Sequence, residues 1–299
     1  MVEYRSVTSD LGVTVHFAVP SEPLRPYLTA YYLAELGGTE EPVEDYLHPE
    51  WGNVRFSDGP IIEGSHFGEP LAPISSMVAT GPTSRAPHFR IRPGRYWGVG
   101  MMPLGWARFV RTPAQAMADR YADALTDPAF ELFRALATTV FDGAPNRAAE
   151  SARIDQHMRQ LLELPAVDDP RITAINTALI DPDVATVTDL AATTGLSVRA
   201  LERVVPSAFG FSPQLLLRRQ RFLRSLAHYM MDPTMRWIET LDSLYFDQAH
   251  FIRDFRRFMG MTPSAYAKLP HPVLAAATHA RAAAAGQPMQ VLNPPSRTP

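Results

Sequence analysis

The feature that most constrains the fold of this chain is an internal repeat with a spacing of 50 residues. Residues 246–266 read FDQAHFIRDFRRFMGMTPSAY, and shifting them back by that spacing aligns them with the stretch LSVRALERVVPSAFGFSP. In this alignment Arg253 falls on Arg203, and Gly260 falls on Gly210. A repeat in which matched residues keep their physical type is rarely a coincidence, and it predicts two copies of one supersecondary unit.

Each copy has the sequence signals of two short helices joined by a tight turn. In the first copy Thr186 can cap a helix that has Asp189 at its third position, which is the pattern of a capping box. Gly195 supplies the turn, Ser197 caps a second helix, and Gly210 ends that helix. This order of signals is typical of a helix-turn-helix unit.

The second helix of each copy has an apolar back and a charged front. The predicted buried residues are Leu201, Val204 and Val205 in the first copy and Phe251, Phe255 and Phe258 in the second. Arginine lies on the opposite face in both copies, and such a helix suits the major groove of DNA. In one isolated copy, a solvated surface would be the simpler interpretation of an arginine-rich face. Two copies in register favour DNA binding.

The stretches LSVRALERVVPSAFGFSP and YFDQAHFIRDFRRFMGMTPSAY resemble the two halves of the AraC-type (AraC/XylS) DNA-binding domain. The resemblance covers roughly Arg171–Leu269 and implies two helix-turn-helix units joined by a long helix at Pro213–Met231. It implies recognition helices at Ser197–Pro206 and Asp247–Phe258. Two such helices on one chain should enter successive major-groove segments about 34 Å apart.

Carried over residue by residue, the resemblance implies which side chains contact DNA. The base-facing positions are Arg199, Glu202, Arg203, Gln248, Ala249, Ile252 and Arg253. The candidate phosphate contacts are Ser197, Arg218, Arg219, His250, Arg256 and Arg257. Arginine can read guanine, glutamine adenine and glutamate cytosine, whereas phosphate contacts position the protein without reading sequence. For His250, a partly buried structural role is an equal alternative.

The first helix of the second unit departs from the family pattern. Thr240 and Leu244 stand where the family keeps small residues, and Glu239 stands where an apolar residue is usual. We therefore expect this helix to be degenerate and the second recognition helix to be held less rigidly against DNA. The half of the operator that this helix reads should then tolerate base changes more readily. Alternatively, Trp237 and Tyr245 fill the space left by the altered residues and restore the orientation of the second recognition helix.

The rest of the chain indicates an α+β fold in three parts. Residues 1–165 combine short alternating strands with appended amphipathic helices, which predicts a β-rich barrel or sandwich. This arrangement is similar to that of regulators of the same family with a cupin-like sensor domain. A linker at Pro165–Pro170 separates them from the DNA-binding domain at 171–269, which we expect to fold independently. Residues 270–299 form an Ala- and Pro-rich tail, expected to be partly disordered and dispensable for DNA binding.

In proteins of this type, the partner domain often senses a ligand, dimerises, or does both. The aromatic and methionine residues Trp51, Trp97, Met101 and Trp106 are candidates for an apolar ligand pocket. The simpler alternative is that they are core residues of the β-domain. Clustered histidines are absent from the sequence, so we expect neither a metal nor a cofactor.

Composition narrows the possible functions. The chain has no cysteine, no transmembrane stretch and no signal peptide, which predicts a cytoplasmic location and excludes thiol chemistry. The net charge is −3, yet residues 182–269 hold 11 basic and 8 acidic residues, an excess of three positive charges. No nucleotide-binding or hydrolase motif occurs, so we expect no enzymatic activity.

These observations predict a sequence-specific transcriptional regulator. Its expected partners are a double-stranded DNA operator, a small-molecule effector, a second copy of the chain, and RNA polymerase if it activates genes; a membrane is not among them. The alternative is a ligand-binding or protein-interaction module with a degenerate DNA-binding domain. A third class, an enzyme fused to a DNA-binding domain, has the least support.

Overall fold

The computed structural model describes residues 4–37, 41–59, 62–65 and 69–295. It confirms the predicted α+β architecture, with a β-rich N-terminal half followed by a helical C-terminal half. Among the described residues, no helix is long and apolar enough to cross a membrane, and no three potential metal ligands come together.

Within the described residues, eleven antiparallel strands build the N-terminal half. They are β1 (Tyr4–Thr8), β2 (Val13–Ala18), β3 (Leu28–Leu36), β4 (Val43–Tyr46), β5 (Asn53–Asp58), β6 (Ile62–Ser65), β7 (Ala72–Ile74), β8 (Met77–Thr80), β9 (His88–Ile91), β10 (Gly94–Met101) and β11 (Tyr121–Asp123). One sheet has the order β1-β2-β3-β10-β5-β8-β11, and the other has the order β4-β9-β6-β7. Side chains from both sheets border a common cavity, so the two sheets face each other across the core.

Three α-helices of the described chain cover this half. They are α1 (Pro103–Phe109), α2 (Arg134–Thr139) and α3 (Arg147–Leu162). The carboxylate of Glu150 in α3 is buried and accepts hydrogen bonds from Arg95 Nη1 at 2.7 Å and from Trp97 Nε1 at 2.7 Å. A buried carboxylate that is paired and hydrogen-bonded in this way fixes α3 against β10.

Seven α-helices follow in the described part of the C-terminal half. They are α4 (Pro170–Ile180), α5 (Val187–Thr194), α6 (Val198–Phe209), α7 (Pro213–Met231), α8 (Gln248–Met259), α9 (Pro263–Tyr266) and α10 (Leu274–Ala285). The long helix predicted at Pro213–Met231 has the expected bounds, with Ser212 as its cap and Pro213 at its first position.

The tail, which the sequence predicts to be partly disordered, is described up to residue 295 and contains α10. After Pro270 the chain turns back over the β-domain, and α10 packs on β1 and β2. Asp45 of β4 caps α10, because its Oδ2 accepts hydrogen bonds from the backbone of Val273 at 3.0 Å and of Leu274 at 2.9 Å. The Ala- and Pro-rich composition of the tail does not predict this docking, because the residues that α10 packs against lie more than 200 positions away in the sequence.

The last described turn of the tail enters the core. The Gln290 side chain is buried, and its Oε1 accepts a hydrogen bond from the Trp51 backbone at 2.9 Å. Its Nε2 lies 3.2 Å from the hydroxyl of Thr29. A Cβ at Gly100 would lie 2.3 Å from the hydroxyl of Thr29 and 2.7 Å from that nitrogen, so this position has no room for a larger residue.

The two halves also contact each other directly. The backbone N–H of Ala86 donates to the carbonyl of Phe258 at 2.7 Å. His48 Nε2 and the hydroxyl of Tyr266 are joined by a buried 2.7 Å hydrogen bond. The helical half begins with α4 at Pro170, close to the predicted boundary. Its independent folding stays a prediction, and these contacts indicate that the halves stabilise each other.

Candidate nucleic-acid interface

The first helix-turn-helix unit consists of α5 and α6 and has the predicted caps. Thr186 accepts a hydrogen bond from the backbone of Asp189, which accepts one in return, so the capping box is formed. Gly195 occupies the left-handed region at φ 67°, where glycine is favoured. Ser197 caps α6 by accepting a hydrogen bond from the backbone of Ala200 at 3.2 Å. The hydroxyl predicted to contact phosphate is therefore engaged in capping.

Helix α6 has one buried apolar face and one exposed polar face. Leu201 and Val205 are fully buried. Arg199, Glu202 and Arg203 are all exposed on the other side, as predicted for residues that face bases. Neither arginine forms a hydrogen bond or ion pair with any residue that the structure describes.

The second recognition helix, α8, repeats this arrangement. Asp247 caps it by accepting a hydrogen bond from the backbone of His250 at 2.6 Å, and Gly260 ends it at φ 76°. The apolar back is fully buried and consists of Phe251, Phe255 and Phe258. The predicted base-facing residues are Gln248, Ala249 and Arg253, which are exposed, and Ile252, which is half-buried.

The helix expected to be degenerate in the second unit is reduced to a single 3-10 turn at Trp237–Glu239. The gap is filled by aromatic rings. Trp237 stacks on Tyr229 with ring centroids 3.8 Å apart and meets Phe255 edge-on at 5.1 Å. Tyr245 packs edge-on against Phe251 at 5.4 Å. This packing favours the alternative in which Trp237 and Tyr245 restore the position of α8.

Asp254 fastens α8 to the long helix. Its carboxylate is fully buried, forms an ion pair with Arg218, and accepts a hydrogen bond from the hydroxyl of Tyr245 at 3.0 Å. Arg221 Nη2 lies 3.6 Å from the same group. Arg218, a predicted phosphate contact, is thus paired with a carboxylate of the protein, and its side chain stays 36% exposed. His250 lies 3.3 Å from Arg221 and has the partly buried structural role that was its alternative.

Replacing Asp254 tests this anchor. We expect Asp254→Ala to lower the free energy of unfolding by about 3–5 kcal/mol, because removing one partner of a buried pair leaves the other uncompensated. The matched control is Glu239→Ala, which breaks the exposed ion pair with Arg236 and should cost about 1 kcal/mol or less. Chemical denaturation measures both. Equal losses would show that the carboxylate does not anchor α8.

The prediction that Arg219 contacts a phosphate is wrong. Adjacent residues on a helix point in different directions, and Arg219 is fully buried against the N-terminal half, where it cannot reach a phosphate. Its guanidinium lies 4.0 Å from the ring centroid of Trp51, and its Nη1 donates to the carbonyl of Thr83 at 2.8 Å. Burial lowers the pKa of Arg219 to about 9. This side chain joins the two halves of the molecule.

The four candidate ligand-lining residues do not surround one pocket. Trp51, Trp97, Met101 and Trp106 are all at most 1% exposed and belong to the packed core, which is the simpler of the two alternatives. A Cβ at Gly52 would lie 2.3 Å from the Trp106 ring, which shows how tightly that ring is held. Of the four, Trp97 alone borders the cavity between the sheets.

The exposed face of the two units is rich in unpaired positive charge. Five exposed arginines form no hydrogen bond or ion pair within the described parts of the chain: Arg199, Arg203, Arg253, Arg256 and Arg257. On α7, in contrast, Arg218, Arg219, Arg221 and Arg224 all contact other groups of the protein. Unpaired guanidinium groups on capped helices can bind phosphates or the edges of guanine.

Comparisons with known proteins agree with this geometry. Residues 190–269 match a family model described as a helix-turn-helix domain, of the AraC type, which confirms the resemblance found in the sequence. Domains of this type bind DNA in transcriptional regulators. Comparison with curated proteins gives no match.

Three solved structures are distantly similar to this chain. An apo variant of ToxT from Vibrio cholerae shares 9% identity over 87% of this chain and 98% of that chain, with a TM-score of 0.42. A 1.65 Å structure of ToxT shares 10% identity over 77% of this chain and 95% of that chain, also with a TM-score of 0.42. The AraC-like transcriptional activator CuxR shares 12% identity over 75% and 86%, with a TM-score of 0.33.

Proposed function

We propose that this protein regulates transcription by binding a specific DNA sequence through α6 and α8. The observation that carries the proposal is the repeated, capped recognition helix with unpaired arginine on its open face. Arg199, Glu202 and Arg203 read one major-groove segment, and Gln248, Ala249, Ile252 and Arg253 read the next. Arg256 and Arg257 contact phosphates. The firm seating of α8 counts against the alternative of a degenerate DNA-binding domain.

The N-terminal half regulates this binding by taking up an effector, by dimerising, or by both. The C-terminal part of α6 packs against α1 and the 3-10 helix at Ala114–Ala116. A change in the β-domain that shifts α1 would therefore move a recognition helix. If the protein activates transcription, RNA polymerase is a further partner.

Binding-site selection followed by footprinting tests the proposal. Full-length protein is offered a pool of random duplexes, and the selected duplex is then footprinted and titrated at several salt concentrations. We expect two protected segments about 10 base pairs apart and an affinity that falls steeply as salt rises. Failure to enrich any sequence, or equal affinity for selected and random duplexes, would contradict the proposal.

The filled gap of the second unit leads to a prediction about the operator. Because Trp237 and Tyr245 hold α8, base changes in either operator half should cost a similar amount, about 1–3 kcal/mol for each contacted base pair. Each half is mutated in turn, and affinity is measured at fixed salt. A consistently smaller penalty in the half read by α8 would instead support the looser second unit expected from sequence.

A further inference from the structure

One aromatic ring stands outside the packing that holds the second recognition helix. The side chain of Phe246 is 94% exposed, and it alone is exposed among the aromatic side chains whose burial the structure describes. It forms no ring contact with any described residue. An exposed apolar side chain is ordinary on a protein surface, so the meaning of this one depends on where it lies and why it is not packed.

Phe246 lies at the start of α8. It comes directly before the cap Asp247, whose backbone is extended at φ −154° and ψ 169°. Side chains two residues apart in an extended segment point to the same side of the chain. Phe246 therefore points in the same general direction as Gln248, a proposed base-reading residue, whereas the carboxylate of Asp247 turns back to accept a hydrogen bond from the backbone of His250.

The inner place beside α8 is already filled by other rings. An apolar residue that precedes a helix cap often packs against the fourth residue of the helix, which in α8 is Phe251. The ring centroid of Tyr245 lies 5.4 Å from that of Phe251, and the centroid of Trp237 lies 5.6 Å from it. Because these two neighbours cover Phe251, Phe246 is left outside the core.

The internal repeat supplies a comparison within the same chain. The 50-residue shift places Phe246 on Leu196, which comes directly before the cap Ser197 of α6. Leu196 is half-buried and packs against the core. The first unit thus packs an aliphatic side chain at this position, and the second unit exposes an aromatic ring there, beside its base-reading face.

The base-reading face of α8 contains apolar as well as polar groups. Ala249 is exposed and Ile252 is half-buried, next to the exposed side chains of Gln248 and Arg253. In the major groove, thymine presents a 5-methyl group, and alanine and phenylalanine are among the side chains that contact it. The exposed ring of Phe246, at the end of this face, has the chemistry for such a contact.

We propose that Phe246 is a further specificity-determining residue, which packs against the 5-methyl group of a thymine at the edge of the segment read by α8. The inference rests on the DNA-binding function proposed above. Both groups are exposed to water before DNA binds, so the hydrophobic effect favours their contact. A contact with sugar or phosphate would form on any sequence, whereas this contact reads one base.

Binding-site selection with the full-length wild-type protein and with Phe246→Ala tests the base preference. The wild-type pool should enrich a thymine at one position at the edge of the α8 half of the operator, and the variant pool should not. Phe246→Ala should bind the wild-type duplex at least about tenfold more weakly, because full burial of a phenylalanine side chain contributes at least about that factor. Absence of an enriched thymine in the wild-type pool would overturn the proposal.

Replacing the enriched thymine by deoxyuridine removes the methyl group alone. The wild-type protein should bind the deoxyuridine duplex about fourfold more weakly, which corresponds to one buried methyl group. Phe246→Ala should bind the thymine and deoxyuridine duplexes equally well. If both proteins lost the same factor, another residue would contact the methyl group and the proposal would be wrong. No loss with the wild-type protein would reject it as well.

A matched control and a stability measurement complete the test. Val167→Ala removes an apolar side chain that is 97% exposed in the segment before α4, and it should leave affinity for the selected duplex unchanged. Phe246→Ala should keep the melting temperature of the wild-type protein, since the ring is exposed; a large fall would show that the ring is packed in solution and would contradict the proposal. Failure of the wild-type protein to select any duplex would reject the DNA-binding function together with this contact. A selected duplex that Phe246→Ala binds as tightly as the wild-type protein does would reject the contact alone.

Discussion

Truncation after Pro270 is expected to destabilise the protein severely. The removed segment buries five large apolar side chains: Val273, Leu274, Met289, Val291 and Leu292. Full burial of such a side chain stabilises a fold by about 1.5–3 kcal/mol, so the loss should exceed about 5 kcal/mol. The total stability of a domain is about 5–15 kcal/mol, so the β-domain should be largely unfolded at 37 °C.

Polar groups add to this loss. Without the tail, the carboxylate of Asp45 loses the α10 backbone, and Trp51 loses the Gln290 acceptor inside the core. Thermal unfolding followed by circular dichroism measures the effect. The matched control is truncation after Pro295, which removes four residues and should leave the melting temperature almost unchanged. Similar melting curves for both truncations would show that the tail is not docked in solution.

Replacing the two equivalent arginines should have the largest effect on DNA binding. Arg203→Ala and Arg253→Ala should each cost about 1–3 kcal/mol on the selected duplex and relax its sequence preference, because each removes one of the proposed base contacts. The two residues lie on separate recognition helices, so their costs should add. The double variant should then bind about 30-fold to about 20,000-fold more weakly. Stability should hardly change, since both side chains are exposed and unpaired.

Arg256→Ala and Arg257→Ala are the matched controls. They remove exposed, unpaired arginines from the same helix α8, but at positions expected to contact phosphate. They should weaken selected and random duplexes alike and reduce the salt dependence by about one charge each. Titration of all four variants against both duplexes measures the difference. If Arg203→Ala weakened both duplexes equally, the alignment of the repeat would not identify the base-reading positions.

The sequence alone identified the DNA-binding half because its signals are local. The capping residues Thr186, Ser197 and Asp247 accept hydrogen bonds from backbone groups three residues away, and Gly195 and Gly260 adopt the left-handed backbone conformation at the helix ends. Such rules depend on spacing along the chain and not on distant partners. The recognition helices and their exposed faces could therefore be predicted from the printed residues.

The same reasoning could not assign the arginines of α7. Arg218 and Arg219 are neighbours of the same type, yet the first pairs with Asp254 and the second is buried against Trp51. The two positions face different parts of the molecule, and those surroundings come from segments 36 and 168 residues away. Side-chain type alone does not distinguish these surroundings.

The tail shows the same division between local and distant determinants. Ala-rich residues 274–285 have weak apolar periodicity, so nothing in their own pattern predicts that they cover β1 and β2. The sheets supply the apolar surface that orders them, and Arg281 is buried as a consequence of that docking. The sequence by itself determined the repeated helix-turn-helix units, whose caps and turns are satisfied within a few residues. The tertiary structure alone decided which charges are buried, because burial depends on surfaces that meet only when distant segments pack together.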